Sequence, residues 1–195
     1  MKFLIKLLCL PLPGRWRRVA REKLTSWVFS IPVRMRAAHV GRNFCALAVS
    51  KVSRRTYIGD EVCLKDLRVE GDGACRIGDH VHAGRELLIL TANHNYQGDW
   101  LPYDRGFVPK DVEIGEGVWL GTRVTILPGA KIGEGSIIQA GAVVHGEIPP
   151  CSIAGGNPAV VFAHRDAAKY AELKARGAFR TAYGVCAPCA AQARQ

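Results

Sequence analysis

Carboxylates are nearly missing from the first 55 residues. Glu22 stands alone there against thirteen Lys and Arg, whereas residues 56–195 hold sixteen acids and fourteen bases. The formal excess of +10 is therefore an N-terminal property, and the rest of the chain is close to neutral. Long apolar runs are missing too. Nothing approaches the roughly 20 consecutive apolar residues of a membrane-spanning helix. The opening Met1-Lys-Phe-Leu-Ile-Lys-Leu-Leu-Cys-Leu10 is broken by Lys6, lacks a small-x-small cleavage site and ends at Pro11 and Pro13, so it does not read as a secretory signal. Methionine is scarce, at two residues. The seven cysteines, Cys9, Cys45, Cys63, Cys75, Cys151, Cys186 and Cys189, are odd in number and scattered. They show no disulfide framework, which points to a reducing, cytoplasmic compartment. Cys186-Ala-Pro-Cys189 is a lone C-x-x-C with no second pair, and reads as part of a polar tail rather than a zinc or redox site.

What the N-terminal segment does contain is cations interleaved with apolar and aromatic groups. Arg15-Trp16-Arg17-Arg18, Arg21 and Lys23 precede Trp27, Val28 and Phe29. Two readings stay open. Residues 1–30 lie in the headgroup region of an anionic membrane, at its cytoplasmic face, or they form a helix packed on a neighbouring subunit. Nucleic acid is not expected, because no nucleic-acid-binding motif accompanies the charge.

From about residue 38 a fixed period takes over. Ile114, Leu120, Ile126, Ile132, Ile138 and Val144 recur every six residues without a slip. Ile77, Ala83 and Ile89 form a second register, and Ile58, Leu64 and Glu70 a shorter, imperfect third. Six fits neither the 3.6 of an amphipathic helix nor the alternation of a flat sheet. It fits a coil with three flat sides, in which each hexad supplies one side and a corner. The aliphatic points inward, and Gly or another small residue takes the corner. Eighteen residues complete a coil, so Ile114 is expected above Ile132 and Leu120 above Ile138. The predicted organisation is a basic amphipathic segment over 1–37, a parallel β-helix over 38–163, and a C-terminal helix and tail over 164–195, the helix ending at Gly177. The fold class is all-β. Residues 95–112 carry no repeat and read as a loop protruding from the prism, of the kind that binds ligands.

The segments Ile114-Gly-Glu-Gly-Val-Trp-Leu-Gly-Thr122, Ile126-Leu-Pro-Gly129, Ile132-Gly-Glu-Gly-Ser136, Gly141-Ala-Val-Val144 and Ile148-Pro-Pro-Cys-Ser-Ile-Ala-Gly-Gly-Asn-Pro-Ala159 resemble the hexapeptide-repeat acyltransferases. The resemblance spans roughly residues 56–165 and is nearest to the sugar O-acetyltransferase branch, with its galactoside and maltose acetyltransferases and its lipopolysaccharide and capsule acetylases. It implies a left-handed prism, a homotrimer with active sites between subunits, and acetyl-CoA as co-substrate without a metal. It also implies a general base at His94, just before the loop. The residues support that placement: esterifying a hydroxyl requires a base for its proton, and imidazole is substantially neutral near pH 7. By the same resemblance Thr122 lies near the thioester, where a backbone N–H meets the developing oxyanion. Ala140, His145 and Gly146 follow along the pantetheine arm, with Ser136 and Ser152 as weaker candidates. Arg165 is the nearest basic residue for the nucleotide phosphates, Val160 and Ala163 occupying the positions where the family often places one. For a sugar or glycan acceptor, Asp66 stands near the place of the family's early-coil Asn. Asp99, Trp100, Tyr103, Asp104 and Arg105 of the loop either hold the saccharide or pack on a neighbour.

Other functions remain as alternatives. The acceptor could be an antibiotic, an amino-sugar amine or serine. A γ-type carbonic anhydrase on the same prism needs three converging His, and His80, His82 and His94 are the repeat-borne candidates. A non-catalytic scaffold is the last alternative, and an intact His94 with a complete set of late coils argues against it.

Overall fold

The computed structural model describes residues 14–181 and 184–185, with side chains described from Lys23 to Arg180. Residues 1–13 of the basic segment and the Cys186/Cys189 pair lie outside the described residues.

The chain winds as a three-sided parallel β-helix. Face A stacks β1 (His39–Val40), β3 (Thr56–Ile58), β6 (Cys75–Ile77), β11 (Val112–Ile114), β14 (Lys131–Ile132) and β17 (Glu147–Ile148). Face B stacks β2 (Cys45–Ala46), β4 (Cys63–Leu64), β7 (His82–Ala83), β12 (Trp119–Leu120), β15 (Ile137–Ile138) and β18 (Ser152–Gly155). The antiparallel β19 (Val160–His164) closes its upper end. Face C holds β5 (Leu67–Glu70), β8 (Leu87–Leu90), β13 (Thr125–Ile126) and β16 (Val143–Val144).

The hexads build this shape because one residue of each is driven inward. Ile114 pairs with Ile132, and Leu120 with Ile138, as the 18-residue coil requires. Ile58, Ile77, Ile114, Ile132 and Ile148 form the inner ladder of face A, each no more than 5% exposed. Leu64, Ala83, Leu120, Ile138 and Ala154 line face B, and Val69, Ile89, Ile126 and Val144 line face C. Burying an aliphatic side chain of this size contributes about 1.5–3 kcal/mol, and each ladder member draws that from the coils above and below.

The period slips in several places, among them the pairing of Val69 with Ile89 on face C. Ile58 pairs with Ile77 and Ile132 with Ile148, one residue more and two residues fewer than a regular coil. The third register ends differently from the sequence expectation. Val69, not Glu70, faces the core, while Glu70 stays on the outer side in an ion pair with Arg68. A carboxylate in an apolar prism would remain uncompensated, so the strand admits its neighbour instead.

Among the described residues the all-β prism is flanked by two helices. Helix α1 (Gly14–Arg36, 23 residues) precedes the prism and packs on its own first coil. Val33 is fully buried there, and the Ser30 hydroxyl accepts from the Ala46 N–H at 3.3 Å. The helix thus covers the lower end of face B, where unpaired strand groups would otherwise face solvent. At the other terminus α2 (Ala167–Ala175) is shorter than the predicted span. The Asp166 side chain caps it by accepting from Lys169 N–H at 2.9 Å, and Gly177 follows with φ +62°. It lies across the edge between faces A and B. There the Tyr170 hydroxyl donates to the Glu116 carbonyl at 3.2 Å, and Lys174 pairs with Glu116 at 2.8 Å and with Glu134. A small hairpin, β20 (Arg180–Thr181) with β21 (Gly184–Val185), follows.

Candidate active site

Three edges join the three faces, and the candidate residues fall on them unequally. The edge between C and A carries the protruding loop. After β8, the chain leaves the prism as β9 (Ala92–His94), turns through residues 95–106 and returns as the antiparallel β10 (Phe107–Pro109). The excursion is therefore a hairpin with an irregular tip. Its predicted end falls one residue inside β11, whose first residue, Val112, is fully buried.

His94 is the last residue of β9 before the irregular tip, opposite Phe107. Its ring stacks on Tyr103 with centroids 3.8 Å apart and planes 18° apart, and meets Phe107 at 4.4 Å and 35°. Nδ1 is shielded from solvent and has no hydrogen-bond partner among the described residues. The imidazole is thereby held by two aromatic walls, with an Nδ1 that no described residue occupies.

The tip is organised by two residues that the sequence reading did not single out for that role. Asp104 accepts from the Trp100 N–H at 3.1 Å and from Asn95 Nδ2 at 3.3 Å, and its own N–H donates to the Asn95 carbonyl at 2.9 Å. A Cβ on Gly98 would collide with the Asp104 carboxylate. The signal was present, since Asn and Asp flanking a loop are the residues whose side chains stitch turns. Phe107 was missed because no repeat or motif marks it. With the tip fixed in this way, Trp100 stands 76% exposed and Tyr103 44% exposed. Asp99 is also exposed.

The edge between B and C gathers Asp66, Thr122 and Ala140. Thr122 and Ala140 occupy successive coils, both exposed, and the Thr122 carbonyl accepts from the Gly141 N–H at 2.8 Å. Gly121 makes this close stacking feasible, because a Cβ there would fall on the backbone nitrogen of Ala140. Gly141, with φ +75° and open space around it, leaves backbone groups uncovered beside Ala140. Asp66 lies lower on this edge, its carbonyl accepting from the Leu87 N–H at 3.1 Å.

His145 and Gly146 lie instead on the edge between C and A, above the loop, both exposed. Face C separates them from Thr122 and Ala140. At about 3.3 Å per strand residue, a four-residue face spans on the order of 13 Å. Arg165 joins neither group. It lies by the edge between A and B, in a cleft with His80, His82, Trp119 and Tyr170, and its Nε is buried without a partner among the described residues. Ser136 and Ser152 are fully buried. The Ser136 hydroxyl donates to the Pro149 carbonyl at 2.9 Å and accepts from the Ser152 N–H at 3.3 Å. Both hydroxyls are turned into the stack, so neither is available to a ligand in a surface groove.

The three histidines considered as zinc ligands are also distributed. His80 stacks on Phe179 at 3.8 Å, His82 Nε2 contacts the Arg180 carbonyl at 2.9 Å, and His94 belongs to the loop. Among the described residues no three His, Cys, Asp or Glu side chains are grouped as a metal would need. Burial pushes the His82 imidazole below its ordinary value, and it raises the Cys75 thiol to about 12.

Comparison with known proteins agrees with the prism. Residues 111–146 match the family described as bacterial transferase hexapeptide (six repeats). A probable acetyltransferase of Mycobacterium tuberculosis is 33% identical over 156 residues, covering 66% of this chain and 51% of that protein. The galactoside O-acetyltransferase of Lactococcus lactis is 40% identical over 85 residues, covering 44% and 41%. The chain thus spans about half or less of the length of these curated relatives. Among solved structures, a hexapeptide-repeat acetyltransferase of Vibrio cholerae complexed with acetyl coenzyme A superposes with a TM-score of 0.59 at 28% identity, covering 67% of this chain and 73% of that one. Repeat, register and likeness together show that residues 111–146 carry the bacterial transferase hexapeptide repeat, and that the chain is similar to acetyltransferases with that repeat.

Proposed function

We propose that the protein transfers an acetyl group from acetyl-CoA to a hydroxyl of a sugar or surface-polysaccharide precursor, with His94 as general base. The observation that carries the proposal is the placement of His94. Its imidazole stands where the only long excursion among the described coils leaves its paired strands for the tip, clamped between Tyr103 and Phe107, below exposed aromatic and acidic groups. The Vibrio cholerae relative binds acetyl coenzyme A, and the Lactococcus lactis relative acetylates a galactoside hydroxyl.

In this reading the acceptor hydroxyl gives its proton to His94 as its oxygen attacks the thioester carbonyl. Backbone N–H groups near Thr122 hold the oxyanion. The carbon–sulfur bond then breaks, and the proton passes to the departing thiolate. No covalent acyl-enzyme is needed. The loop residues Asp99, Trp100 and Tyr103, with Asp66, hold the acceptor.

His94 and the Thr122–Ala140 edge belong to different edges of one prism. The site is therefore assembled between copies, the B–C edge of one facing the C–A edge of the next, in a homotrimer. Thr122 and Ala140 fit a co-substrate held through backbone groups, since both are exposed and Gly141 leaves the backbone beside them open. His145 and Gly146 contribute from the loop's edge, whereas Arg165, by the edge between A and B, stands apart from this site.

The test is transfer from labelled acetyl-CoA to glycan acceptors by wild type and His94→Ala. Loss of a general base lowers the rate by roughly 10²–10⁴-fold. A variant with near-full transfer would sink the assignment of His94, and the absence of any acetylated glycan would sink the acceptor class.

A further inference from the structure

Helix α1 is turned inside out. Ser26, Ser30 and Val33 form its inner side, each 5% exposed or less, with Phe29 and Ala37 beside them. The outer side carries Trp27, Ile31 and Met35 at 64%, 40% and 82% exposure, and Val28 at 41%. At 3.6 residues per turn these four share one stripe about 100° wide. A helix whose only duty was to cap the prism would place its larger apolar groups inward and its serines outward.

Cations border the stripe. Arg36 flanks one side of it, and Arg34 the other, where Arg34 also donates to the Val40 and Gly41 carbonyls at 3.3 Å. Met35 and Pro32 share a concavity with Arg36 and Arg54, and Lys51 and Arg55 continue beyond it. Of the two acids nearby, Glu70 is already paired with Arg68, and Asp72 is the other. An apolar stripe edged by cations is the pattern of a helix lying in the plane of a membrane interface. Among the described residues no helix is long and apolar enough to cross a membrane.

The charge selects the occupant. A second copy docked on this face would bring the same excess of twelve positive charges from its first 55 residues, and like surfaces repel. Anionic phospholipid offers the opposite sign together with an apolar layer for Trp27, Ile31 and Met35.

We propose that α1 docks on an anionic lipid surface through Trp27, Ile31 and Met35, with Arg36 and Arg54 meeting the phosphates, so that the first coil faces the membrane. This extends the contact expected for residues 1–30 to the far end of the helix and to the coil beneath it. It stands apart from the acyl-transfer reading, because it uses no residue of the candidate site.

The experiment is co-sedimentation of the full chain with vesicles of phosphatidylcholine alone or mixed with phosphatidylglycerol, without acetyl-CoA. Wild type is expected to pellet with the mixed vesicles only, and less at high salt. Trp27→Ser/Ile31→Ser/Met35→Ser is expected to bind at least tenfold more weakly, and Arg36→Glu/Arg54→Glu likewise. Circular dichroism and transfer activity report whether each variant stays folded, and these exposed positions are expected to leave both unchanged. As a check that does not depend on pelleting, Trp27→Phe should reduce a blue shift in fluorescence that wild type shows on adding the mixed vesicles, and an undiminished shift would count against Trp27 entering the lipid. Equal pelleting of wild type and the triple-serine variant would overturn the proposal, as would a wild type that ignores both vesicle types. A triple-serine variant that falls to a smaller oligomer in vesicle-free sedimentation velocity would also overturn it, by making the stripe a contact between subunits.

Discussion

The imidazole of His94 lies 3.8 Å from the ring of Tyr103, with the two planes 18° apart. One residue ends the paired strand β9 and the other lies in the tip, so the orientation of the proposed base is tied to the folded state of the loop. An aromatic contact of this kind contributes about 0.5–1.5 kcal/mol. Tyr103→Ala is expected to lower kcat/KM for transfer by about tenfold, while Tyr103→Phe keeps the stacking face and stays near wild type. Equal losses in both variants would mean that the hydroxyl, and not the stack, carries the effect.

Asp104 sets the shape of the tip rather than contributing to the prism. Its carboxylate accepts from the Trp100 N–H and from Asn95 Nδ2, and both bonds are confined to the loop. Asp104→Ala should therefore loosen residues 96–103 and leave the coils intact. Faster proteolytic cleavage within the loop, with the melting temperature unchanged, is the expected outcome. A lowered melting temperature would show that the tip supports the prism.

The regular part of this molecule could be read from its sequence because each hexad repeats one local demand. Ile114, Leu120, Ile126, Ile132, Ile138 and Val144 needed no knowledge of their neighbours to be placed inside, and all are 3% exposed or less. Glu70 shows where counting fails. The sixth position was correct by period but wrong by chemistry, because the strand shifts to keep a carboxylate outside. The shortened step to Ile148 and the antiparallel β18–β19 closure depend on pairing across coils, which a period does not encode. In the site, His94 was marked by its position before a break in the repeat. Phe107 was not marked by anything, since its role depends on the return strand lying opposite His94. The assignment of Thr122, Ala140, His145 and Gly146 to two different edges likewise follows from how hexads map onto faces, information the linear spacing holds only once the slips are known.

Gly121 tests the close packing of successive corners. No positive φ is required of it, so its only constraint is space: a Cβ would meet the backbone nitrogen and Cα of Ala140 in the coil above. Backbone cannot rotate away as a side chain can. Gly121→Ala is expected to cost about 1–3 kcal/mol, the range for forced overpacking, seen as a lower urea midpoint with an unchanged slope. Transfer activity should fall alongside, because Thr122 and Ala140 are separated by the same shift. An unchanged midpoint would show that the coils can part at this corner without loss.

His82 gives the fold a dependence on pH in a window of its own. Burial lowers its pKa from the ordinary value of 6.5, with the positive Arg180 and His80 acting in the same direction and the hydrogen bond to the Arg180 carbonyl opposing them. The unfolded chain therefore binds this proton more readily than the folded one. Stability rises with pH wherever the unfolded state holds more protons, so the contribution is fully present above about pH 7.5. It is lost as pH falls through 6.5 toward the folded value, below which both states are protonated. Asp60 and Glu172, whose carboxyls are held low by Arg42 and by Lys169 and Arg176, lose their stabilisation only at more acidic pH. Melting temperatures measured in steps from about pH 8 to about pH 5 should decline for wild type, and His82→Gln should flatten that decline while retaining a side-chain donor for the Arg180 carbonyl. If the two proteins trace parallel curves through this window, His82 is not the group that titrates.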